Sequence, residues 1–144
     1  MSQHNVEIVK RMLWDGIDAV PLVRDDAALA AYLAEVEPFL EPDCVFSWMA
    51  PGGRFEAGAL DDEVRRVWLD FFKPWDSLRF ETERLVPQGD KVLALTRLYG
   101  RMAGTENEVE ALFAAVYFMR DGKVARAEFY ADRAEALSAA GVRE

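Results

Sequence analysis

Near Ser77 the spacing of apolar residues changes from a helical period to a period of two, dividing the chain into a helical first half and a strand-rich second half. Leu78 and Phe80 alternate with Arg79 and Glu81, as a half-buried strand requires. Gln88-Gly89-Asp90 turns the chain into a predicted strand from Lys91 to about Arg101. Thr105-Glu106-Asn107 turns it into another, from Glu108 to Arg120. Asp121-Gly122 suits the positive φ angles of a two-residue hairpin and introduces a last strand, Lys123 to Ala131. A short helix from Asp132 to about Ala140 follows.

Before Ser77 the predicted elements are helices and short strands. Asn5 is a good N-cap for a first helix running to about Val20. Its stripe is Val6, Val9, Leu13 and Ile17, widened by Met12, and Pro21 ends it. Asp25 and Asp26 introduce a second helix whose Leu29, Tyr32, Leu33 and Val36 share a face, closed by Pro38. Pro42-Asp43 leads into a strand from Cys44 to Met49. The loop Pro51-Gly52-Gly53 and a very short strand around Phe55 come next. Gly52-Gly53 lacks the context of a phosphate cradle; it is an ordinary turn or a mobile flap. Asp61 caps a third helix, with Asp62 and Glu63 in its first turn, where the helix dipole favours anions. Val64, Val67, Trp68, Phe71 and Phe72 have the spacing of a core-facing helix, and Pro74 ends it. Helices followed by an antiparallel meander define an α+β fold. With no repeat or linker, residues 1–144 read as one domain.

Two strands fail to alternate. Val92 to Leu95 and Ala111 to Met119 are almost continuously apolar, so both faces of the sheet are covered there. Helices and a pocket account for one face. A second copy of the chain is the expected cover for the other, giving a homodimer packed sheet to sheet; the alternative is a sheet curled enough to cover itself.

Composition narrows the chemistry. A chain of 144 residues buries roughly two-thirds of its unfolded surface. Four Trp, nine Phe and four Tyr need a large apolar interior. Seventeen Lys and Arg against 26 Asp and Glu leave a net charge of −9, which repels nucleic acid and anionic membranes. No apolar stretch approaches the ~20 residues of a membrane span. Met1-Ser2-Gln3-His4 lacks the features of a signal peptide, so a cytoplasmic location is expected. Cys44 has no partner for a disulfide and reads as a small core residue. His4 is the single histidine, which removes histidine triads and His/Cys zinc clusters. An all-carboxylate cation site stays possible, although no loop has calcium-ligand spacing. Any chemistry therefore falls to Asp, Glu, Tyr, Lys or Arg, and no metal site is assigned.

The order of short motifs resembles the SnoaL-like family of the nuclear-transport-factor-2-like superfamily. The resemblance runs through Val64-Arg65-Arg66-Val67-Trp68, Lys73-Pro74-Trp75, Arg79-Phe80-Glu81 and Gly89-Asp90-Lys91-Val92. It continues over Arg97 to Arg101, Arg120-Asp121-Gly122-Lys123-Val124 and Tyr130 to Leu137. With Pro42-Asp43 it covers about residues 5–140. It implies a cone in which helices pack on a strongly curved sheet around an apolar pocket for a small hydrophobic ligand. It also implies acid–base chemistry by carboxylates, without metal or organic cofactor.

On this resemblance Asp132 matches the catalytic aspartate of SnoaL-like cyclases. A carboxylate desolvated at a cavity rim has the raised pKa of a general base or acid. Asp132-Arg133-Ala134-Glu135 is equally a capping box. The histidine that partners the aspartate in the cyclases corresponds to Phe113 here, so their aldol chemistry does not carry over. Glu128 and Tyr130 share the side of Asp132 on an ideal strand and complete the candidate catalytic edge; Glu128 reads equally as solvent-facing. Arg97 and Tyr99 share a face of an apolar strand, where Arg97 would bind an anionic oxygen or pair with Glu128 or Asp132. Phe46, Trp48, Phe113 and Tyr117 are the aromatics expected around the cavity, or in plain core packing. Trp14, Trp68 and Trp75 read as core or pocket-edge residues.

Two functions remain. One is a cofactor-independent lyase, isomerase or cyclase acting on a small hydrophobic carbonyl compound. Asp132 would be its base, with Tyr130 or Arg97 stabilising negative charge. The other is non-catalytic binding of a hydrophobic metabolite. A protein–protein scaffold has less support, since no apolar helix is left to spare. Buried Asp132 or Glu128 beside a void favours the first, and a wholly apolar cavity the second.

Overall fold

In the computed structural model, which describes residues 2–50, 53–59 and 61–142, the helical half has more ends than its apolar stripe suggests. The first helix, α1 (Ser2–Met12), stops well before Val20, and α2 (Ala19–Arg24) starts afresh. Asp15-Gly16 breaks the path between them: Gly16 adopts φ +78°, a conformation that suits glycine. Asp18 caps α2 by accepting the Val20 amide at 3.1 Å. Pro21, expected to terminate a helix, instead lies in the first turn of α2, where its missing N–H is harmless. Asp25 caps α3 (Asp26–Val36), accepting from the Ala27 and Ala28 amides. A single 3-10 turn, Glu37–Phe39, then leads into the sheet. In α4 (Asp62–Phe72) the expected stripe is present, with Val64, Trp68 and Phe72 buried.

Six strands form one open sheet: β1 (Leu40–Ala50), β2 (Gly53–Gly58), β3 (Trp75–Gln88), β4 (Lys91–Met102), β5 (Glu108–Arg120) and β6 (Lys123–Tyr130). Their order is β2-β1-β6-β5-β4-β3. The meander from β3 to β6 is antiparallel, as its turns require, and Asp121 and Gly122 both take the positive φ of the expected hairpin. The sheet as a whole is mixed, because β1 pairs with β6 in parallel. The Pro51-Gly52 part of the expected loop lies outside the described residues.

The pleat sorts the side chains into two sets. Phe46, Trp48, Ala94, Phe113, Ala115, Tyr117 and Phe129 face α1 to α4 in the main core. Leu93, Leu95, Ala114, Val116 and Tyr130 face the other way and pack under Ala136 and Ala140 of α5 (Arg133–Ala140). This explains the failure of alternation in the two apolar runs. An element that covers the outer face is the chain's own last helix, whereas a second copy was the expected cover. Cover ends where α5 ends: Leu112, inside one of those runs, is 45% exposed. Arg133 ties α5 down, reaching Glu83 on β3 and donating to the Thr96 carbonyl at 3.0 Å. Among the described residues no helix is long and apolar enough to cross a membrane.

Candidate functional site

A cavity of about 110 Å³ lies between the inner face of the sheet and the helices. Its floor is Phe46 and Trp48 of β1, Phe129 of β6, Phe113, Ala115 and Tyr117 of β5, and Ala94 and Thr96 of β4. Phe80 and Thr82 of β3 form one side. Tyr32 of α3 and Trp68, Phe71 and Phe72 of α4 form the roof, and Met12 to Asp15 close one end. Ala94 and Ala115 are direct cross-strand partners. Two methyl side chains in a field of rings leave space unfilled, and that is why a void exists here. The rings hold one another in two ways: Trp14 stands edge to face with Tyr32 at 5.3 Å and Trp68 at 5.2 Å, while Trp48 and Phe113 each stack nearly parallel to Phe129.

Polar groups at this wall are few. The Tyr32 hydroxyl donates to the Met12 carbonyl at 2.5 Å, joining α3 to the end of α1. Burial pushes the Tyr32 and Tyr117 phenols above their usual range, so both stay protonated. The Tyr117 hydroxyl has no hydrogen-bond partner among the described residues, and the buried Trp14 Nε1 likewise meets no acceptor. Asp15 is the one ionisable carboxylate among the described lining residues.

Asp15 belongs to a strap, residues 13–18, bound along the free edge of β3. Its Oδ1 accepts the Thr82 amide at 2.5 Å, and Asp18 Oδ1 accepts the Leu78 amide at 3.0 Å. The Gly16 amide donates to the Phe80 carbonyl at 2.9 Å. Otherwise unpaired edge groups are thereby satisfied, and Trp14 is held over the cavity.

Of the residues singled out from sequence, Phe46, Trp48, Phe113 and Tyr117 line the cavity. Arg97, Tyr99, Glu128, Tyr130 and Asp132 do not. Phe129 points inward, so Glu128 and Tyr130 on either side of it point outward, and the parity argument that grouped them selected the wrong face. There Glu128 accepts Arg126 Nε at 2.8 Å and the Tyr130 hydroxyl at 2.6 Å. Burial, aided by Glu128, raises the Tyr130 phenol. Arg97 is also on the outer face, pairing with Glu83 at 2.9 Å and with Glu110 rather than with Glu128 or Asp132. Arg133 and Arg97 together hold the Glu83 carboxyl below the usual range. Tyr99 follows two residues along the same face. Asp132 is exposed and acts as the N-cap of α5, accepting the Ala134 amide at 2.8 Å and the Glu135 amide at 3.3 Å. Cys44 is buried, which pushes its thiol up to about 12. Among the described residues no three His, Cys, Asp or Glu side chains gather as a metal site.

Asp132→Ala is therefore expected to lower stability by about 1 kcal/mol, the usual loss of a helix cap. Ligand affinity should be unchanged. Thermal melts and binding titrations check both, and a variant of unchanged stability with abolished binding would move the site to this end of the sheet.

The sequence profile described as SnoaL-like domain matches residues 23–127. No curated protein matches the chain. A protein from Jannaschia sp. CCS1 described as a SnoaL-like polyketide cyclase is 18% identical, over 99% of this chain and 94% of its own, with a TM-score of 0.63. TerC, crystallised with polyporic acid, is 17% identical over 92% of this chain and 94% of its own, with a TM-score of 0.62. A protein of ketosteroid isomerase-like fold from Catenulispora acidiphila DSM 44928, in complex with trimethylamine, is 12% identical over 95% and 94%, with a TM-score of 0.59. At these identities the likeness is one of fold.

Proposed function

The chain belongs to the SnoaL-like family, and on that premise we propose that it binds a small, mainly apolar molecule in the cavity beneath its sheet. One observation carries the proposal: eleven of the eighteen described lining residues are aromatic, and a single one is a carboxylate. The volume, about 110 Å³, is near that of the engineered apolar cavity of roughly 150 Å³ that takes up benzene. Proteins of this fold bind small molecules of more than one kind, polyporic acid and trimethylamine among them.

Binding without turnover is favoured over acid–base catalysis by the position of the carboxylates: Asp15, the one at the wall, is exposed and already accepts the Thr82 amide. Asp132 and Glu128, with Tyr130 and Arg97, are engaged in structural contacts away from the lining. A base that does not touch the cavity has no geometry for abstracting a substrate proton. Toluene is a suitable first probe. It should raise the melting temperature of the wild-type chain and have no effect on a variant whose cavity is plugged by Ala115→Phe. Equal shifts in the two would refute the proposal.

Pairing of two copies through the sheet now rests on the strip that α5 leaves open around Leu112. That pairing predicts a two-chain mass by light scattering at micromolar concentration. A one-chain mass would remove it.

A further inference from the structure

Building on that binding reading, we propose that the natural occupant is a small organic cation, a tertiary or quaternary alkylammonium with its charged head among the rings. Three of the four tryptophans in the chain, Trp14, Trp48 and Trp68, line the cavity, and indole is the aromatic group that attracts a cation best. The single carboxylate among the described lining residues has the complementary sign. Asp15 is exposed at the strap end; one of its oxygens holds the Thr82 amide, and the other has no partner among the described residues. No Lys or Arg is found among the described lining residues. An anion would lack a counter-ion there, and a cation meets no competitor.

Hydrogen bonding separates an alkylated ammonium from other amines. A primary ammonium entering this cavity would lose water from three N–H donors and find few acceptors, because the walls are rings and methyl groups. A quaternary nitrogen has no N–H to satisfy. Its methyl shell suits apolar walls while its charge is stabilised by ring quadrupoles and by Asp15. The net charge of −9 adds a long-range field that draws cations and repels anions. The Tyr32 and Tyr117 phenols, kept protonated by burial, stay neutral beside the bound charge. A trimethylammonium head is smaller than benzene, so a void of about 110 Å³ admits it.

Choline and 3,3-dimethyl-1-butanol test the charge directly, since they share a shape and differ by nitrogen against carbon. In calorimetric titrations of the full chain at low salt, choline should bind about tenfold more tightly or better, the scale of a desolvated cation–π contact. Asp15→Asn, which keeps an acceptor for the Thr82 amide, should narrow that ratio and leave the alcohol unaffected. Trp68→Phe should narrow it too, while leaving the Asp15 carboxylate in place. Equal affinity of the two ligands for the wild-type chain would overturn the proposal and leave apolar binding intact. Preference for benzoate over choline would also overturn it. Binding of no probe, toluene included, would sink the cavity reading together with this one.

Discussion

Phe72→Ala is expected to lower the free energy of unfolding by about 3–5 kcal/mol, the range for deleting a buried phenyl ring from a core. That is a large share of the roughly 5–15 kcal/mol that holds a domain folded. The reason lies in where the ring sits. Phe72 is 2% exposed at the end of α4, with ring centroids 6.0 Å from Trp14 and 6.3 Å from Phe80, and it also forms part of the cavity wall. Removing it joins a new void to an existing one. Neighbouring side chains cannot collapse inward to fill both, so relaxation recovers little. Phe71, next in sequence, is 43% exposed, and its replacement by alanine should cost about 1 kcal/mol or less. Urea unfolding of both variants, with unchanged m-values, reads the difference. Equal losses would mean that α4 does not seat its last turn as described.

Ala115→Phe should have the opposite balance: a modest change in stability and a loss of ligand binding of about 100-fold or more. Ala115 is buried on the inner face opposite Ala94, and both border the void. A phenyl ring there enters space that is already empty. The strain of overpacking a filled core, about 1–3 kcal/mol, is thus an upper limit for the stability change. A ligand loses the volume it would occupy. At a toluene concentration of about 100 times Kd the wild-type chain should gain about 2.7 kcal/mol, and the plugged variant none. Retained stabilisation would place toluene at another site.

Much of the architecture was legible because it depends on local rules. The period of two beyond Ser77, the Asp121-Gly122 turn and the stripe of α4 each express a preference within a few residues. The capping role of Asp132 was equally local: an acceptor placed two and three residues before free amides. The break after Met12 was harder to see. Val9, Leu13 and Ile17 keep helical spacing across it, whereas the structure spends residues 13–18 on the edge of β3, some 65 positions away in sequence. Tertiary hydrogen bonds to a distant strand overrode the stripe. Asp15, the most informative polar residue of the cavity, was missed for that reason.

The candidate site was half legible. Phe46, Trp48, Phe113 and Tyr117 share one parity along their strands, and that parity is the inner one. Applied to β6, the same alternation separates Phe129 from Glu128 and Tyr130. Parity alone does not say which set faces inward. The answer came from the register of β6 between β1 and β5, which sets Phe129 beside Trp48, together with the docking of α5 over the other face.

Sequence alone determined the class of elements, their order and the aromatic character of what they enclose, since backbone preference and composition are properties of short segments. Tertiary structure decided which face of each strand meets the helices, what covers the outer sheet and which carboxylate reaches the cavity. Those outcomes depend on pairing between residues far apart in the chain, where a shift of one position in register exchanges inside for outside.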